Sequence, residues 1–240
     1  MRKEPYNIGD FLHVYNRGNR KQPIVLDVRD SWRFLLAFRY FNDEYSSPVI
    51  FREIGDLWKS DFHRSGEGLP WPKNWPRHKP LVNILCFSIM NNHYHLVLEE
   101  ITAGGVTKFM RKIGTGMTNY FNAKYKESGR LFQGAFKSKR IDSDNYLSFL
   151  SVYVHLKNPL ELYPGGLKKA VSEIDTAIKW VTDDPYNSFA DYGSNRNSPI
   201  IKKSFLGDMF SSPKEYTAFA KDCMLNINLE DKVGKFAFDE

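Results

Sequence analysis

The sequence has few cysteines and no long apolar run. Its two cysteines, Cys86 and Cys223, are far apart in the chain, which argues against a disulfide framework or a cysteine-based metal site. No apolar stretch approaches the roughly 20 residues that span a bilayer, and residues 1–5 lack the apolar segment of a secretory signal. Internal repeats and low-complexity tracts are absent. We therefore expect a reduced, cytoplasmic protein with no membrane partner.

The composition is that of a globular protein with an excess of positive charge. Of 240 residues, 42% are hydrophobic and 15% aromatic, which suffices for one packed domain with appendages. The net charge is +6, and the pI is near 9.1. This balance suits an anionic partner, although many basic proteins bind no nucleic acid.

The apolar pattern predicts seven elements in the order strand, helix, strand, strand, helix, strand, helix. They cover residues 11–16, 32–38, 82–87, 93–99, 106–121, 131–141 and 145–157. Asp30 or Ser31 is expected to cap the first helix, and Asp142 or Ser143 the last. The first six elements match an α+β fold, a ferredoxin-like split β-α-β antiparallel sheet with helices on one face. The seventh is an extra helix.

The domain boundaries follow from breaks in this pattern. Residues 1–163 are predicted to form one domain, and residues 164–240 a C-terminal extension of short helices that could contact nucleic acid. Residues 43–80 lose periodicity, and their prolines exclude a regular helix or central strand, so this segment is predicted to be an inserted loop. Its Trp71 and Trp75 could stack on bases or could anchor the loop to the domain.

Two histidines separated by one residue lie in the third predicted strand. Side chains alternate faces along a strand, so His93 and His95 project to one side and Tyr94 to the other. Two imidazoles on one face can share a metal ion. They can equally be incidental polar residues on an exposed face, and the spacing alone leaves both interpretations open.

The last predicted helix carries Tyr146 and Tyr153 on the stripe that ends at Lys157. If this helix packs beside the sheet, a tyrosine can approach a metal ion held by the two histidines. A hard divalent ion with open positions polarises a phosphodiester, and a tyrosine hydroxyl can then attack phosphorus and release a 3′-hydroxyl. Either tyrosine could instead be an ordinary aromatic side chain at a helix–sheet boundary.

Seven short segments, in this order, resemble the single-tyrosine transposases of the insertion-sequence 200 type, in particular the branch associated with repetitive extragenic palindromes. The segments are residues 14–19 (VYNRGN), 90–96 (MNNHYHL), 120–125 (YFNAKY), 128–134 (SGRLFQG), 137–138 (KS), 153–159 (YVHLKNP) and 187–192 (NSFADY). The resemblance extends from about residue 10 to about residue 222, with residues 43–80 as an insertion.

The resemblance implies a metal-dependent transposase, a single-stranded DNA endonuclease and strand transferase. Such enzymes cleave and rejoin hairpin-associated DNA through a 5′-phosphotyrosine link. By this resemblance His93 and His95 are metal ligands for Mg²⁺ or Mn²⁺, and Tyr153 is the nucleophile, with Tyr146 as the alternative. Relatives include monomers and dimers that exchange catalytic helices, so the resemblance allows either a monomer or a homodimer.

One position departs from the family pattern. The family places an amide side chain four residues after the tyrosine as a further metal ligand, but Lys157 stands there and Asn158 follows it. Protonated lysine is a poor ligand. Either a local bulge in the helix brings Asn158 to the ion, or the metal site is weakened. His155 lies on a different helix face from Tyr153 and is left out of the site.

Basic residues near the expected site are predicted to bind DNA phosphates, which would make binding dependent on salt. They are Arg17, Arg20, Lys108, Arg111, Lys112, Lys137, Lys139 and Arg140. Two alternatives to the transferase remain. One is a catalytically impaired or domesticated nucleic-acid-binding protein of the same fold, which the irregularity at Lys157 favours. The other is a metal-dependent nuclease that uses water.

Overall fold

A four-stranded antiparallel sheet forms the centre of the protein. The computed structural model describes residues 5–47, 49–54 and 68–234. The strands are β1 (Phe11–Arg17), β2 (Val82–Ile89), β3 (His93–Glu100) and β4 (Lys137–Ile141). They are ordered β2-β3-β1-β4, and every neighbouring pair is antiparallel. This topology confirms the predicted ferredoxin-like α+β fold.

Two long helices cover one face of the sheet. They are α1 (Val28–Tyr40) and α3 (Gly105–Tyr125), and the short α2 (Ile50–Glu53) follows α1. Apolar residues of α1 and α3 recur at three- and four-residue steps, so each helix buries one stripe against the sheet. On β3 the alternate residues Tyr94, Leu96 and Leu98 belong to this core. The histidines of β3 therefore face away from α1 and α3.

The C-terminal half of the chain covers the histidine face. After β4 come α4 (Asp144–Val152), a π-helical turn (Tyr153–Lys157), α5 (Asn158–Leu160), α6 (Gly166–Ser172), α7 (Ile174–Asp183), α8 (Phe189–Gly193), α9 (Ser204–Asp208), α10 (Pro213–Asn226) and α11 (Leu229–Val233). Their apolar side chains form a second core with Tyr15, Cys86 and Val97 of the sheet. The second helical layer therefore combines helices of the predicted 1–163 domain with those of the predicted 164–240 extension.

Two boundaries differ from the sequence prediction. The N-cap of α1 is Asp27, not Asp30 or Ser31, because the Asp27 carboxylate accepts hydrogen bonds from the Arg29 and Asp30 amides. The fourth strand begins at Lys137 instead of residue 131. Residues 131–136 precede it, and only Phe132 among them forms a bridge, with Gly18. For α4, Ser143 is the cap, one of the two predicted residues.

Asp30 connects the two helices of the first layer. Its buried carboxylate accepts hydrogen bonds from Lys124 Nζ (2.6 Å), Tyr125 Oη (2.7 Å) and Tyr120 Oη (2.9 Å) on α3. It also accepts one from the Leu26 amide (2.8 Å) before α1. Because a buried carboxylate needs such partners, Asp30 fixes the C-terminal turn of α3 against the start of α1.

The described part of the 43–80 segment is packed on the first helical layer. Trp75 is 7% exposed, and its ring lies edge-on to Tyr40 with a centroid distance of 5.8 Å. Trp71 stacks on Tyr40 as well. Both tryptophans therefore anchor the segment. Pro48 and residues 55–67 lie outside the described residues. Within the described chain, the helices are all too short or too polar to cross a membrane.

Candidate active site

The pairing of β1 with β3 places histidines from both strands on one face. Tyr15 lies opposite His95, and Arg17 lies opposite His93. Directly opposed residues share a face, so His13, which precedes Tyr15 by two, also projects to this side. The rings of His93 and His95 are perpendicular, with centroids 5.1 Å apart. The structure therefore brings the two predicted ligands together on one surface.

Hydrogen bonds orient both imidazoles. His93 Nδ1 lies 2.7 Å from Asn92 Oδ1, an acceptor, so Nδ1 carries the proton and Nε2 keeps its lone pair. His95 Nδ1 lies 2.8 Å from His13 Nε2. If His95 donates this bond, its Nε2 also keeps a lone pair. In metal-binding histidines, the ring nitrogen that does not bind the metal is typically held by a hydrogen bond.

Burial keeps the inner histidines neutral. It lowers the pKa of His13 to about 3, with a further effect from the Lys139 charge. The pKa of His95 is also well below its usual value, because of burial first and then the nearby His13, His93 and Lys157. Neutral imidazole is the form that binds metal ions, so the protonation state suits the predicted role.

Tyr153 reaches this face from the π-helical turn. It is 3% exposed, and its ring lies edge-on to His95 with a centroid distance of 5.7 Å. In the turn the backbone N–H of Asn158 donates to the Tyr153 carbonyl, which is a bond to the fifth preceding residue instead of the fourth. One extra residue is thereby accommodated within the helix. The structure thus has the local bulge that one sequence interpretation requires.

Asn158 is buried, and one end of its amide is unsatisfied. The residue is 1% exposed, and its Nδ2 has no hydrogen-bond partner among the described residues. Buried polar atoms are nearly always paired. The two ends of an asparagine amide are assigned from their hydrogen bonds, so the unpaired end can be the oxygen, a possible metal ligand.

The donor set fits a divalent ion with open positions. Two imidazole nitrogens and one amide oxygen leave sites for substrate oxygens, as a catalytic ion requires. Nowhere in the described ranges do three His, Cys, Asp or Glu side chains form a group that could hold a metal ion. Among these residues, a metal ion bound by His93 and His95 would therefore need a further ligand of another kind, and Asn158 is the residue that the family pattern offers.

Lys157 is the residue that the π-helical turn inserts. Its Nζ lies 5.1 Å from the Tyr153 ring centroid and donates to Glu161 Oε1 at 2.7 Å. The Lys157 charge is therefore paired with the Glu161 carboxylate, although it still acts on the pKa of His95.

Tyr146 occupies a different environment from Tyr153. Its hydroxyl donates to the Val233 carbonyl at 3.1 Å, and Lys139 Nζ lies 4.5 Å from its ring centroid. Burial raises the pKa of Tyr146 to about 12, with a smaller contribution from Asp142. A hydroxyl that is bonded elsewhere and resists ionisation is poorly suited to attack phosphorus.

The basic residues predicted to bind DNA fall into two groups. Arg17, Lys137 and Lys139 share the histidine face, because they stand opposite His93, Tyr15 and His13. Lys139 donates to the Val233 carbonyl. Arg140 projects to the other face of β4 and pairs with Asp10 at 2.7 Å.

The second group lies away from the histidines. Lys108, Arg111 and Lys112 are on α3 and line a cleft of about 670 Å³ on the opposite layer. Lys112 Nζ donates to the carbonyls of Asp43 and Tyr45, which gives it a structural role in holding the loop. Arg20 is apart from both groups, in a short 3-10 turn after β1 at the His93 end of the sheet.

His155 is a structural residue of the second helical layer. Its Nδ1 lies 2.6 Å from Tyr216 Oη, and its Nε2 lies 2.7 Å from Ser188 Oγ. Burial lowers the pKa of His155 to about 3, and the Arg196 charge adds to this. The bonds tie the π-helical turn to α10, and so they hold Tyr153 in place.

We expect Tyr216→Phe to lower the free energy of unfolding by about 1–3 kcal/mol, because a buried hydrogen-bonded group loses its partner. Urea denaturation of the two proteins measures the change. Tyr186→Phe is the control, since its hydroxyl makes only a long exposed bond of 3.5 Å to the Val28 carbonyl. An equal loss in both variants would contradict the role assigned to His155.

Two polar residues of the histidine face are absent from the sequence prediction. His13 contacts His95 directly, and Ser88 stands opposite His95 on β2. Ser88 Oγ is buried and has no hydrogen-bond partner among the described residues. The alternation of His13 and Tyr15 along β1 was a usable signal for the first. No sequence signal indicates Ser88, because its position opposite His95 depends on the register of β2 with β3.

Comparison with known proteins finds a distant likeness of fold. No protein-family model matches the chain, and no curated protein matches it. A solved structure, the REP-associated tyrosine transposase bound to a REP hairpin, has a TM-score of 0.45 and 12% sequence identity, over 84% of this chain and 90% of that chain. The likeness is distant.

Proposed function

We propose that this protein is a metal-dependent strand transferase that cleaves and rejoins single-stranded or hairpin DNA through Tyr153. The observation that carries the proposal is the juxtaposition of Tyr153 with His95 on the buried face of the sheet. Tyr153 lies on the π-helical turn and both histidines lie on β3, so the approach of Tyr153 to His95 is a property of the fold and not of the sequence spacing.

The chemistry follows from the groups on this face. Tyr153 Oη attacks the phosphorus of a phosphodiester, the Tyr–O–P bond forms, and the P–O3′ bond breaks. The phenol proton leaves to solvent or a nearby base, and the released 3′-oxygen takes up a proton to become a hydroxyl. Mg²⁺ or Mn²⁺ held by His93, His95 and Asn158 would polarise the phosphodiester. Attack by the free 3′-hydroxyl on the phosphotyrosine reverses the bond changes and rejoins DNA.

Charge on the histidine face supports a polyanionic substrate. Arg17 and Lys137 lie on the same face as the histidines, and the chain as a whole carries a net charge of +6. Phosphate contacts by such side chains position DNA without reading its sequence. DNA binding should therefore weaken steeply as salt is raised.

The proposal is tested by asking whether a covalent DNA adduct depends on the metal and on His93. Wild-type protein and His93→Ala are incubated with labelled hairpin DNA and Mn²⁺ or Mg²⁺, and the label is followed on a denaturing gel. We expect an adduct with wild type that EDTA abolishes. Loss of a residue that only orients a metal ligand costs about 10–100-fold, so loss of His93 itself should reduce adduct formation by at least about 100-fold.

His78→Ala provides a histidine control, because His78 lies in the inserted segment and contacts Asn42 and Trp71. It should leave adduct formation unchanged. Cleaved DNA without an adduct would overturn the proposal in favour of hydrolysis by water. A salt-sensitive mobility shift with no cleavage on any hairpin would identify a nucleic-acid-binding protein instead.

A further inference from the structure

A pocket at the His93 end of the sheet is not used by the proposed chemistry. It has a volume of about 560 Å³ and lies between the turn after β1 and the end of α3. Its walls come from residues 19–26 and 121–131, which include parts of three sequence segments with no assigned role in catalysis. We propose that this pocket binds one nucleotide of the single-stranded DNA, with the base inside and the phosphate at the rim.

The lining of the pocket suits a nucleobase. Leu26, Phe121 and Tyr125 supply an apolar and aromatic surface, and Leu26 is 55% exposed. Asn19 and Gln22 supply amides on the same pocket. Bases of single strands are recognised by stacking on aromatic rings and by hydrogen bonds to their edges. Both kinds of group meet in this pocket.

One cation lines the pocket, and further cations are adjacent in the chain to its lining residues. Arg130 lines the pocket. Arg20 and Lys21 lie between the lining residues Asn19 and Gln22, and Lys126 follows the lining residue Tyr125. By the same count there are two acidic residues, Glu127 of the lining and Asp27, which follows Leu26, so cations are in excess. A phosphate attached to a bound base would meet favourable charge at the rim.

The backbone around the pocket is strained. Arg20, Lys21 and Lys126 have φ values of 54°, 63° and 56°, in the left-handed region. Non-glycine residues rarely adopt it, and such conformations cluster at ligand-binding sites. Gly18 is also constrained, because a Cβ there would lie 2.0 Å from the Gln22 carbonyl oxygen. The turn is therefore held in a shape that its own sequence does not favour.

One residue connects the pocket to the candidate active site. Asn92 Nδ2 donates to the Lys21 carbonyl at 3.2 Å, and Asn92 Oδ1 accepts from His93 Nδ1 at 2.7 Å. The Gly18 amide also donates to the Asn92 carbonyl. A nucleotide in the pocket would thus be fixed relative to the histidines. The identity of the ligand as DNA rests on the proposed function.

The test measures binding without chemistry. Fluorescence anisotropy in EDTA, on a Tyr153→Phe background, follows a labelled single-stranded DNA of about 12 nucleotides, a length within the usual site sizes. Tyr125→Ala should weaken binding by about 5- to 100-fold, the range for loss of one stacked base. Tyr125→Phe keeps the ring and should bind as the parent does. An oligonucleotide of abasic sites should bind equally weakly to all three.

Arg130→Ala should weaken binding of every sequence and lower the salt dependence by about one phosphate contact. Lys179→Ala on α7 is the charge-matched control and should have no effect. If Tyr125→Ala binds the normal and abasic strands as the parent does, the pocket proposal is wrong even if the Tyr153 adduct forms. If Tyr125→Ala weakens binding and the wild-type protein forms no adduct with hairpin DNA, the pocket proposal is supported and the catalytic proposal is wrong.

Discussion

Tyr153→Phe is expected to abolish the covalent protein–DNA adduct, with a loss of at least about 10³-fold, because removal of a nucleophile leaves no atom to form the intermediate. The substitution removes one oxygen and keeps the ring that packs edge-on to His95. Fold and DNA affinity should therefore be retained. A denaturing gel with labelled hairpin DNA measures the adduct, a parallel anisotropy titration measures the DNA affinity, and circular dichroism measures the fold.

Tyr146→Phe is the matched control for this experiment. Tyr146 lies seven residues before Tyr153 on the same side of the helix, but its hydroxyl is bonded to the Val233 carbonyl. Its loss should leave the adduct yield unchanged and reduce stability only slightly. An adduct that survives Tyr153→Phe and vanishes in Tyr146→Phe would transfer the nucleophile to α4. An adduct present in both single variants would show that neither tyrosine is the attacking group.

Asp30→Ala is expected to lower the free energy of unfolding by about 3–5 kcal/mol at neutral pH, the range for breaking a buried ion pair. Its carboxylate is fully buried and accepts bonds from Lys124, Tyr125 and Tyr120. Chemical denaturation measures the loss. Asp175→Ala is the control, because the Asp175 side chain is 81% exposed in its pair with Lys221; it should change stability by less than about 1 kcal/mol.

The Asp30 contribution should also depend on pH. Burial acts to raise the pKa of this carboxyl, but hydrogen bonds from Lys124, the Leu26 amide, Tyr125 and Tyr120 outweigh it, and the pKa lies below its usual value. A lowered carboxyl pKa stabilises the fold above the unfolded-state value of about 3.9. The stabilisation is lost as the pH falls through the lower folded-state pKa. The difference between wild type and Asp30→Ala should therefore shrink below about pH 4, and a constant difference would contradict this assignment.

The sheet and its partner helices follow from local patterns in the sequence. Strand alternation at His93–His95 and the apolar stripe of α3 each depend on neighbours in the chain, and for that reason their order and type are confirmed. Asp27 was missed as a cap because Asp30 and Ser31 fit the same rule, and only the reciprocal bond between Asp27 and Asp30 distinguishes them.

The rest of the site depends on contacts between distant segments. The pairing of His13 with His95 spans 82 residues, and the register that places Ser88 opposite His95 includes an irregularity between Ile84 and Cys86. No local pattern carries such information. The π-helical turn is an intermediate case: an extra residue before Asn158 is visible in the sequence, but whether the helix absorbs it depends on packing against the second layer.

The hydrogen bond between His155 and Tyr216 has a consequence for synthesis of the chain. The two residues are 61 positions apart, which at 5–20 residues per second separates their emergence from the ribosome by roughly 3 to 12 s. During that interval the π-helical turn that carries Tyr153 lacks its contact with α10. A nascent chain, or a product truncated before α10, would carry both histidines and Tyr153 without the helix that bonds to His155 in the π-helical turn. Under the proposed function, DNA cleavage would then require that translation of the chain is complete.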